Sequence, residues 1–246
     1  GSEVEPAEID HTRDCKKEGL NQMGSLYRED FFGSADIGIF TVVTSRYAIV
    51  PPELGAKKRA ALERELGVEV IRTPILGTSI VGVFLAANSS GMVLPHLALQ
   101  EEVERISSAM DSVNILLLRS RVTAMGNLIL ANDRGAIVSP EFTGREADQI
   151  SETLGVPVVR SRIVGRSYVG SIGVATNLGA LIHVESDAED LRIVSDVLKV
   201  PADIGTVNGG VTFVRSGLVA NDRGAAMGAR TTGPEMVAIS RALNIA

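Results

Sequence analysis

A unit of 44 or 45 residues, repeated five times, is the feature that most constrains the fold of this 246-residue chain. The string ANDRGA occurs at 131–136 and again at 220–225, and related segments share its glycine position. Spacings of 44, 44, 44 and 45 residues separate the five marker residues, Tyr47, Gly91, Gly135, Gly179 and Gly224. Three other positions keep a fixed distance from the marker. Nine residues before it the chain has Gly38, Gly82, Gly126, Gly170 and Arg215, and three residues before it Thr44, Asn88, Asn132, Thr176 and Asn221. Nineteen residues after it the chain has Leu66, Met110, Leu154, Leu198 and Leu243. The chain therefore contains five copies of one structural unit.

The second copy indicates how each unit folds. Residues 82–87 form a short apolar run that predicts a buried strand, and Asn88 and Gly91 occupy the first and fourth places of a type I turn. Residues 92–94 are expected to return as the second strand of a hairpin. A helix is predicted next, since apolar residues recur at spacings of 4, 3 and 4, and residues 113–118 are then predicted as a third strand. The apolar positions of that helix are Leu99, Val103, Ile106 and Met110.

The ends of the chain predict that the five units close into a ring. One unit of this size does not bury its own sheet, so the units are expected to share a core. The fifth unit ends just after its helix, at 243–246, without a full third strand, whereas the segment 26–32 is a strand candidate that no unit uses. Pairing these two ends would remove an exposed sheet edge. We therefore expect residues 24–246 to form a single α/β propeller domain, with sheets inside and helices outside. Residues 1–23 are polar and unpatterned, which predicts a disordered extension or a remnant of cloning.

Composition narrows the possible partners. No apolar run is long enough to span a membrane, and a single cysteine, Cys15, suits the cytoplasm rather than a disulfide framework. The net charge of -6 argues against indiscriminate binding to nucleic acid, which depends on many phosphate contacts. We expect a cytoplasmic monomer that contacts RNA, if at all, through a local basic patch.

Catalytic and cofactor patterns are not recognisable in the repeats. Cys15 and His11 lie in the unpatterned segment, and His96 and His183 are interpreted as structural or surface residues. The glycines form neither GxxxxGKS nor GxGxxG, and recurrent turns account for them. The acidic pairs 101–102 and 189–190 are interpreted as solvated helix faces rather than metal ligands. We therefore predict a protein that is not an enzyme and needs no cofactor or metal.

Two joining segments between units break the repeat pattern with basic residues. They contribute Arg119 and Arg121 in the first segment, Arg160, Arg162, Arg166 and Tyr168 in the second, and Asn127 at a position where the strand pattern favours an apolar residue. In a ring these segments would project at one end, where they could bind an acidic protein surface or an RNA backbone. Alternatively, the arginines only solvate the loops.

Four segments resemble one family. Residues 124–140, with the string AMGNLILANDRGAIVSP, and residues 85–95, LAANSSGMVLP, resemble translation initiation factor 6, as does GTVN at 205–208. TTGPE at 231–235 is similar to the archaeal form in particular. The resemblance extends from about residue 26 to the end of the sequence.

This resemblance implies the pentein fold, a five-fold pseudosymmetric α/β propeller. It further implies a factor that binds the joining face of the large ribosomal subunit, near the sarcin-ricin loop and adjoining ribosomal proteins, blocks premature joining of the small subunit and acts late in large-subunit maturation. By position, the ribosome-facing end would include Val83, Asn127 and Ile172 beside the arginine segments. Two alternatives remain open. One is a pentein-type enzyme acting on guanidino groups, although no cysteine nucleophile lies in the repeats; the other is a ring that binds proteins unrelated to ribosomes.

Overall fold

Five three-stranded sheets with one topology form the body of the protein. The computed structural model describes residues 24–110 and 112–245, so the expectations for residues 1–23, including Cys15 and His11, lie outside the described residues. Each sheet joins an antiparallel hairpin to a parallel third strand, which in four sheets follows the hairpin after a helical crossover. The strands are β1 Ser25–Glu29, β2 Val42–Val43, β3 Tyr47–Val50, β4 Glu69–Arg72, β5 Ala86–Ala87, β6 Gly91–Pro95, β7 Asn114–Leu118, β8 Ile129–Ala131, β9 Ala136–Val138, β10 Val158–Arg160, β11 Gly173–Ala175, β12 Ala180–His183, β13 Ala202–Gly205, β14 Leu218–Asn221 and β15 Gly224–Gly228.

The predicted ring closure is confirmed by the pairing of the two ends of the chain. Strand β1 runs parallel to β15, with Ser25 opposite Gly224 and Glu29 opposite Gly228, so the first strand supplies the third strand of the fifth unit. The strand ends at Glu29, earlier than predicted, because Phe32 and Gly33 adopt left-handed backbone conformations that extended structure does not accommodate. Strands β2, β5, β8, β11 and β14 contact one another in cyclic order around the central axis.

Five helices of ten or eleven residues each follow the hairpin of one unit, and four helices of one turn precede first strands in the described part of the chain. The long helices pack against the sheet of the preceding unit, and α2, α6 and α7 also contact the third strand of their own unit; α6, for example, contacts β6, β7 and β10. Two of these helices end at glycines in the left-handed conformation, Gly67 and Gly155. The helices are α1 Ile37–Phe40, α2 Ala56–Leu66, α3 Val81–Phe84, α4 Gln100–Ala109, α5 Met125–Leu128, α6 Gly144–Leu154, α7 Ala188–Leu198, α8 Val214–Gly217 and α9 Gly233–Leu243.

The predicted first strand is wrong in part in the second unit, because it begins as a helical turn, and three other units share this feature. Residues 82–87 were expected to be one strand, but α3 occupies Val81–Phe84 and only Ala86–Ala87 pair in the sheet. The glycine in this turn is the reason. A side chain on Gly82 would collide with the carbonyl oxygen of Gly38, and one on Gly126 with that of Gly82. Consecutive turns thus pack backbone to backbone around the axis, which only glycine permits.

The recurrent asparagines join neighbouring units. As predicted, the side-chain oxygen of Asn132 completes a turn by accepting from the amides of Arg134 and Gly135, each at 3.0 Å or less. Its side-chain nitrogen also donates to the carbonyl oxygens of Thr176 and Leu198, both at 2.9 Å. Leu198 is the last residue of α7, whose carbonyl has no partner within the helix. Each asparagine therefore fixes a turn in its own unit and a helix end in the next.

These features define the five-fold pseudosymmetric α/β propeller of the pentein fold. The five sheets stay separate, so their strands do not form one closed barrel. Apolar side chains fill the space between each sheet and its helices in five clusters, one for each unit interface. The sheets line a narrow axial channel, and the two ends of that channel differ in chemistry.

Candidate functional site

Four of the five segments that join one unit to the next contain a tight left-handed turn. Pairs of residues with positive φ occur in four of the five joints: Phe32 and Gly33, Leu76 and Gly77, Val164 and Gly165, and Asn208 and Gly209. A short antiparallel bridge closes each of these turns, as between Ile75 and Thr78. Fourteen residues before the markers the chain has Gly33, Gly77, Arg121, Gly165 and Gly210. The joint between the second and third units, where Arg121 replaces glycine, has no such turn among the described residues.

A carboxylate from the following helix holds each of three such turns. Eleven residues after the markers the chain has Lys58, Glu102, Glu146, Asp190 and Glu235. Glu102 accepts hydrogen bonds from the amides of Leu76, Gly77 and Leu99, at 2.7 to 2.9 Å, and is 1% exposed. The prediction that residues 101–102 and 189–190 are simply solvated is therefore wrong for Glu102 and for Asp190, which accepts from the amide of Val164. Leu99, predicted in the apolar stripe, precedes α4 and is 47% exposed.

Glu235 shows the electrostatic result of this arrangement. Its carboxylate accepts from the amides of Thr232, Gly210 and Gly209 and from the hydroxyl of Thr206. Partial burial works to raise the pKa of Glu235, but these hydrogen bonds to the charged form outweigh burial and lower it to about 2. In the first unit Lys58 takes the place of the acid, and its ammonium group donates to the carboxylates of Glu29 and Asp30. The acids are thus structural and fix the shape of the joints.

The joints and the one-turn helices surround a depression of ≈ 390 Å³ at one end of the channel. Val83 and Asn127, both half-buried, line it together with Ser171. Asn127 lies in α5 rather than in a strand, and its backbone carbonyl accepts from the amide of Gly170 at 3.0 Å. The depression and the joints around it are called the joint face below. The structure thus brings together two of the predicted site residues, Val83 and Asn127.

An aromatic pair connects the depression to the second arginine segment. The rings of Tyr168 and Phe213 are stacked, with centroids 5.8 Å apart, and Phe213 lines the depression. The guanidinium of Arg166 lies 5.8 Å from the Tyr168 ring centroid and donates to its hydroxyl at 2.6 Å. Phe213 is 45% exposed and was missed by sequence reasoning, because nothing in the sequence marks it as a neighbour of Tyr168. An aromatic and cationic patch therefore adjoins the depression.

The predicted arginines are exposed and lack ion pairs among the described residues. Arg119, Arg121, Arg162 and Arg166 are all exposed, whereas the ion pairs formed by arginines involve residues 64, 105, 192 and 241, elsewhere on the ring. Arg162 donates only to the carbonyl oxygen of Gly165 in its own turn, at 3.4 Å. Arg121 lies near the carboxylate of Glu146 at the start of α6. Four unpaired cations on an acidic protein are available to an external partner.

One predicted contact residue lies in the core. Ile172 is fully buried, among the apolar side chains packed between the third and fourth units. Its side chain does not reach the surface, because the chain at 171–172 passes directly from the rim of the channel into β11. The expectation that Ile172 contacts a partner is therefore corrected. Ser171, the residue before it, lines the depression instead.

The opposite end of the channel carries a series of hydrogen bonds between units, which runs from Ser45 to Asp222. Asn177 donates to the carboxylates of Asp133 and Asp222, at 2.7 and 3.0 Å, and the hydroxyl of Ser89 donates to Asp133 at 2.8 Å. Ser45 completes the series through its contact with Ser89. These polar groups satisfy one another, so this end serves to connect the units.

One of the two histidines among the described residues, His183, has structural surroundings. His183 is 3% exposed, and its Nδ1 accepts from the amide of Glu185 at 3.1 Å, in agreement with its interpretation as a structural residue. Burial lowers its pKa. Within residues 24–110 and 112–245 no three His, Cys, Asp or Glu side chains are grouped closely enough to hold a metal ion. No helix in the same part of the chain is long and apolar enough to cross a membrane.

The fold and the joint face define a pentein-type propeller whose exposed chemistry is that of a binding surface. The sequence matches the eIF-6 family over residues 26–242. Three archaeal relatives, all named translation initiation factor 6, are similar over most of their length. The protein of Saccharolobus islandicus is 39% identical over 220 residues, 89% of this chain and 99% of its own. That of Pyrococcus horikoshii is 40% identical, over 89% of this chain and 98% of its own, and that of Thermococcus onnurineus is 42% identical, over 87% and 96%.

The chain belongs to the eIF-6 family, and the predicted resemblance to the archaeal form is confirmed. A role as a translation factor follows from this membership. The family and these relatives are named for a translation factor rather than for an enzyme, which favours binding over the guanidino-group chemistry left open above.

Proposed function

We propose that this protein binds the large ribosomal subunit through its joint face and prevents the small subunit from joining. Family membership supports a role in translation. We choose this face because of one observation. Val83 and Asn127 line a single depression, and the cluster of Arg166, Tyr168 and Phe213 adjoins it. This cluster sets the exposed ring of Phe213 beside the segment of Arg162 and Arg166, which form no ion pair in the described part of the chain.

The composition of the joint face suits a partner that offers both protein and RNA. Aromatic side chains and arginines are the residue types enriched where protein interfaces contribute most of their binding energy. Arg119, Arg121, Arg162 and Arg166 would contact phosphates or acidic side chains, and Tyr168 with Phe213 would supply apolar area. We place this partner near the sarcin-ricin loop and the adjoining ribosomal proteins.

The mechanism would be occupancy. The hydrogen-bonded joints and the backbone packing around the axis make the joint face rigid before it binds, which lowers the entropic cost of association. A rigid ring on the joining face excludes the small subunit by steric overlap and consumes no substrate. We infer that the factor acts as a monomer in the cytoplasm, without a cofactor or catalytic step, and that it acts late in large-subunit maturation.

Co-sedimentation tests the proposal. The purified protein is mixed with isolated large or small ribosomal subunits and centrifuged through a sucrose gradient. We expect the protein in the large-subunit fraction and not in the small-subunit fraction. Raising the salt concentration should weaken the binding, because part of it comes from arginine–phosphate contacts. Absence from the large-subunit fraction at low salt would overturn the proposal.

A further inference from the structure

The third strand of the second unit, β7, differs from its four equivalents because it has no charged residue. Each third strand lies at one edge of its sheet. Natural proteins often protect such edges with charged side chains, since an apolar edge offers its backbone groups to other chains. The sequence of β7 is NILLL. The other third strands carry Glu69 and Arg72 in β4, Arg160 in β10, Asp203 in β13, and Arg28 and Glu29 in β1.

The free edge of β7 has unused backbone hydrogen-bonding groups. The amide of Asn114 and the carbonyl of Leu118 form hydrogen bonds of 3.0 Å on the side of β6. Because backbone groups alternate in direction along a strand, the N–H and C=O groups of Ile115 and Leu117 point away from β6. Within residues 24–110 and 112–245 no hydrogen bond to these four groups is formed across that edge. Two donors and two acceptors are therefore available to another strand.

Leu117 stands where three other units have arginine. It lies opposite Leu94 in β6 and is 42% exposed. A charge is thus present on three of the edge strands at this point and absent from β7. The residues in the same register of the other units are Arg72, Arg160, Ile204 and Arg28.

Two more exposed leucines of the second unit replace residues that are polar or glycine elsewhere. Leu97 and Leu99 are 54% and 47% exposed. Six residues after the other markers, in the position of Leu97, the chain has Glu53, Glu141, Glu185 and Arg230. Eight residues after them, in the position of Leu99, it has Gly55, Thr143, Asp187 and Thr232.

The repeat places these two leucines beside Leu117. Arg160, in the register of Leu117, donates to the carbonyl oxygen of Phe142 at 3.1 Å, and Arg28 donates to that of Thr231 at 3.4 Å. Both acceptors lie seven residues after their markers, which is the position of Ala98 in the second unit. The side chain of Leu117 is therefore directed towards the segment that carries Leu97 and Leu99.

We propose that β7 is a docking edge, at which an extended segment of a partner protein adds a fourth strand to the sheet. Backbone hydrogen bonds to Ile115 and Leu117 would supply affinity, and apolar side chains of the segment would pack on the exposed leucines. RNA does not match this surface, because leucines neither stack on bases nor bind phosphates. The proposal does not rest on ribosome binding, since the three leucines lie outside the depression of the joint face.

Charge and size define the partner further. Arg119 directly follows β7, is exposed and forms no ion pair in the described part of the chain. An acidic residue at one end of the segment would complement it. A strand of five residues spans only about 17 Å. This is too short for a stable dimer of two copies of the protein, which needs an interface of roughly 1,200 Å² or more. The edge fits a short peptide segment instead.

Peptide selection tests the proposal. Random dodecapeptides displayed on phage are depleted on Leu117→Arg and then selected on the wild type. Leu117→Arg is a matched variant, because three other units carry arginine in this register. We expect enriched peptides in which apolar residues alternate and an acidic residue lies near one end. They should bind the wild type roughly tenfold or more tightly than Leu117→Arg and Leu97→Glu. Failure to enrich any peptide that distinguishes the wild type from Leu117→Arg would overturn the proposal.

Amide hydrogen exchange locates the bound peptide. A synthetic copy of an enriched peptide should slow exchange at Ile115 and Leu117 roughly tenfold or more, and leave Val158 and Arg160, the equivalent amides of β10, unchanged. Binding without slower exchange at Ile115 and Leu117 would contradict a docking edge. Sedimentation of the protein alone addresses self-association. A dimer that Leu117→Arg dissociates would assign the edge to a second copy and overturn the proposed partner. If Leu117→Arg does not fold, Leu97→Glu replaces it in the selection.

Discussion

A methyl group added to Gly126 would collide with the carbonyl oxygen of Gly82. The two residues are equivalent positions of neighbouring units, and the same contact links Gly82 to Gly38 and Gly170 to Gly126. The backbone turns around the axis therefore stack on one another in series. This packing sets the width of the channel and the shape of the depression at the joint face.

Gly126→Ala should destabilise the protein by about 2–3 kcal/mol, because the added Cβ has no space against a neighbouring backbone. Gly144→Ala is the matched control, since no atom lies within 4 Å of the position of its Cβ, at the start of α6. The control should leave the free energy of unfolding unchanged or raise it by up to about 1 kcal/mol. Chemical denaturation measures both values. Equal stabilities of the two variants would contradict the packing described.

Asn132→Asp should cost more than Asn132→Thr. Threonine retains an oxygen for the turn, as Thr44 and Thr176 do in their units, and loses only the two donors to the next unit. Its expected cost is about 1–2 kcal/mol. Aspartate retains the turn but places a buried charge against two carbonyl oxygens, so the cost should reach about 2–4 kcal/mol. Thermal unfolding would test the order, and a greater loss in the threonine variant would contradict the penalty assigned to a carboxylate that faces the two carbonyl oxygens.

Protonation of Glu235 should destabilise the folded protein at acid pH. Its pKa is lowered in the folded state from 4.5 to about 2, so its contribution is complete above pH 4.5 and disappears as the pH falls towards 2. Glu235→Gln should reduce the free energy of unfolding at pH 7 by about 1 kcal/mol, after allowance for solvent screening. The difference between variant and wild type should vanish near pH 2. A difference that is constant across this pH range would show that the carboxylate charge has no role.

Charge reversal on the joint face should weaken binding to the large subunit. Arg162→Glu with Arg166→Glu takes the net charge from -6 to -10, since each reversal changes it by two. Arg105→Glu with Arg192→Glu makes the same change on the outer helices α4 and α7. The joint-face variant should bind roughly tenfold more weakly or worse, with a smaller salt dependence, whereas the control should bind like the wild type. If both variants lost the same affinity for the large subunit, the loss would come from net charge and not from the joint face.

The sequence predicted the architecture because its signal is repeated five times. Fixed offsets from the markers revealed the units, and the unused strand candidate at 26–32 together with the incomplete fifth unit predicted the closure that β1 and β15 make. Details within a unit were less predictable. An apolar run such as 82–87 has the same composition in a helical turn and in a strand, and the choice depends on the backbone of the next unit.

The joint face was only partly predictable. Departures from the repeat indicated Asn127 and the arginines, but Phe213 contacts Tyr168 across a unit boundary that no local pattern records. The role of Glu102 was also missed, although a signal was present. Acids recur eleven residues after four of the five markers, and that regularity indicates a structural partner in each unit rather than a solvated helix face.

The central claim is that the bound ring blocks subunit joining, and light scattering by mixed ribosomal subunits tests it most directly. Large subunits are incubated with increasing amounts of the protein before small subunits are added. Subunit joining raises the scattered intensity. We predict that the wild-type protein reduces this increase in proportion to the fraction of large subunits that it occupies. The variant carrying Arg162→Glu and Arg166→Glu should leave the increase nearly unchanged. Undiminished joining of large subunits that are saturated with the wild-type protein would contradict the account.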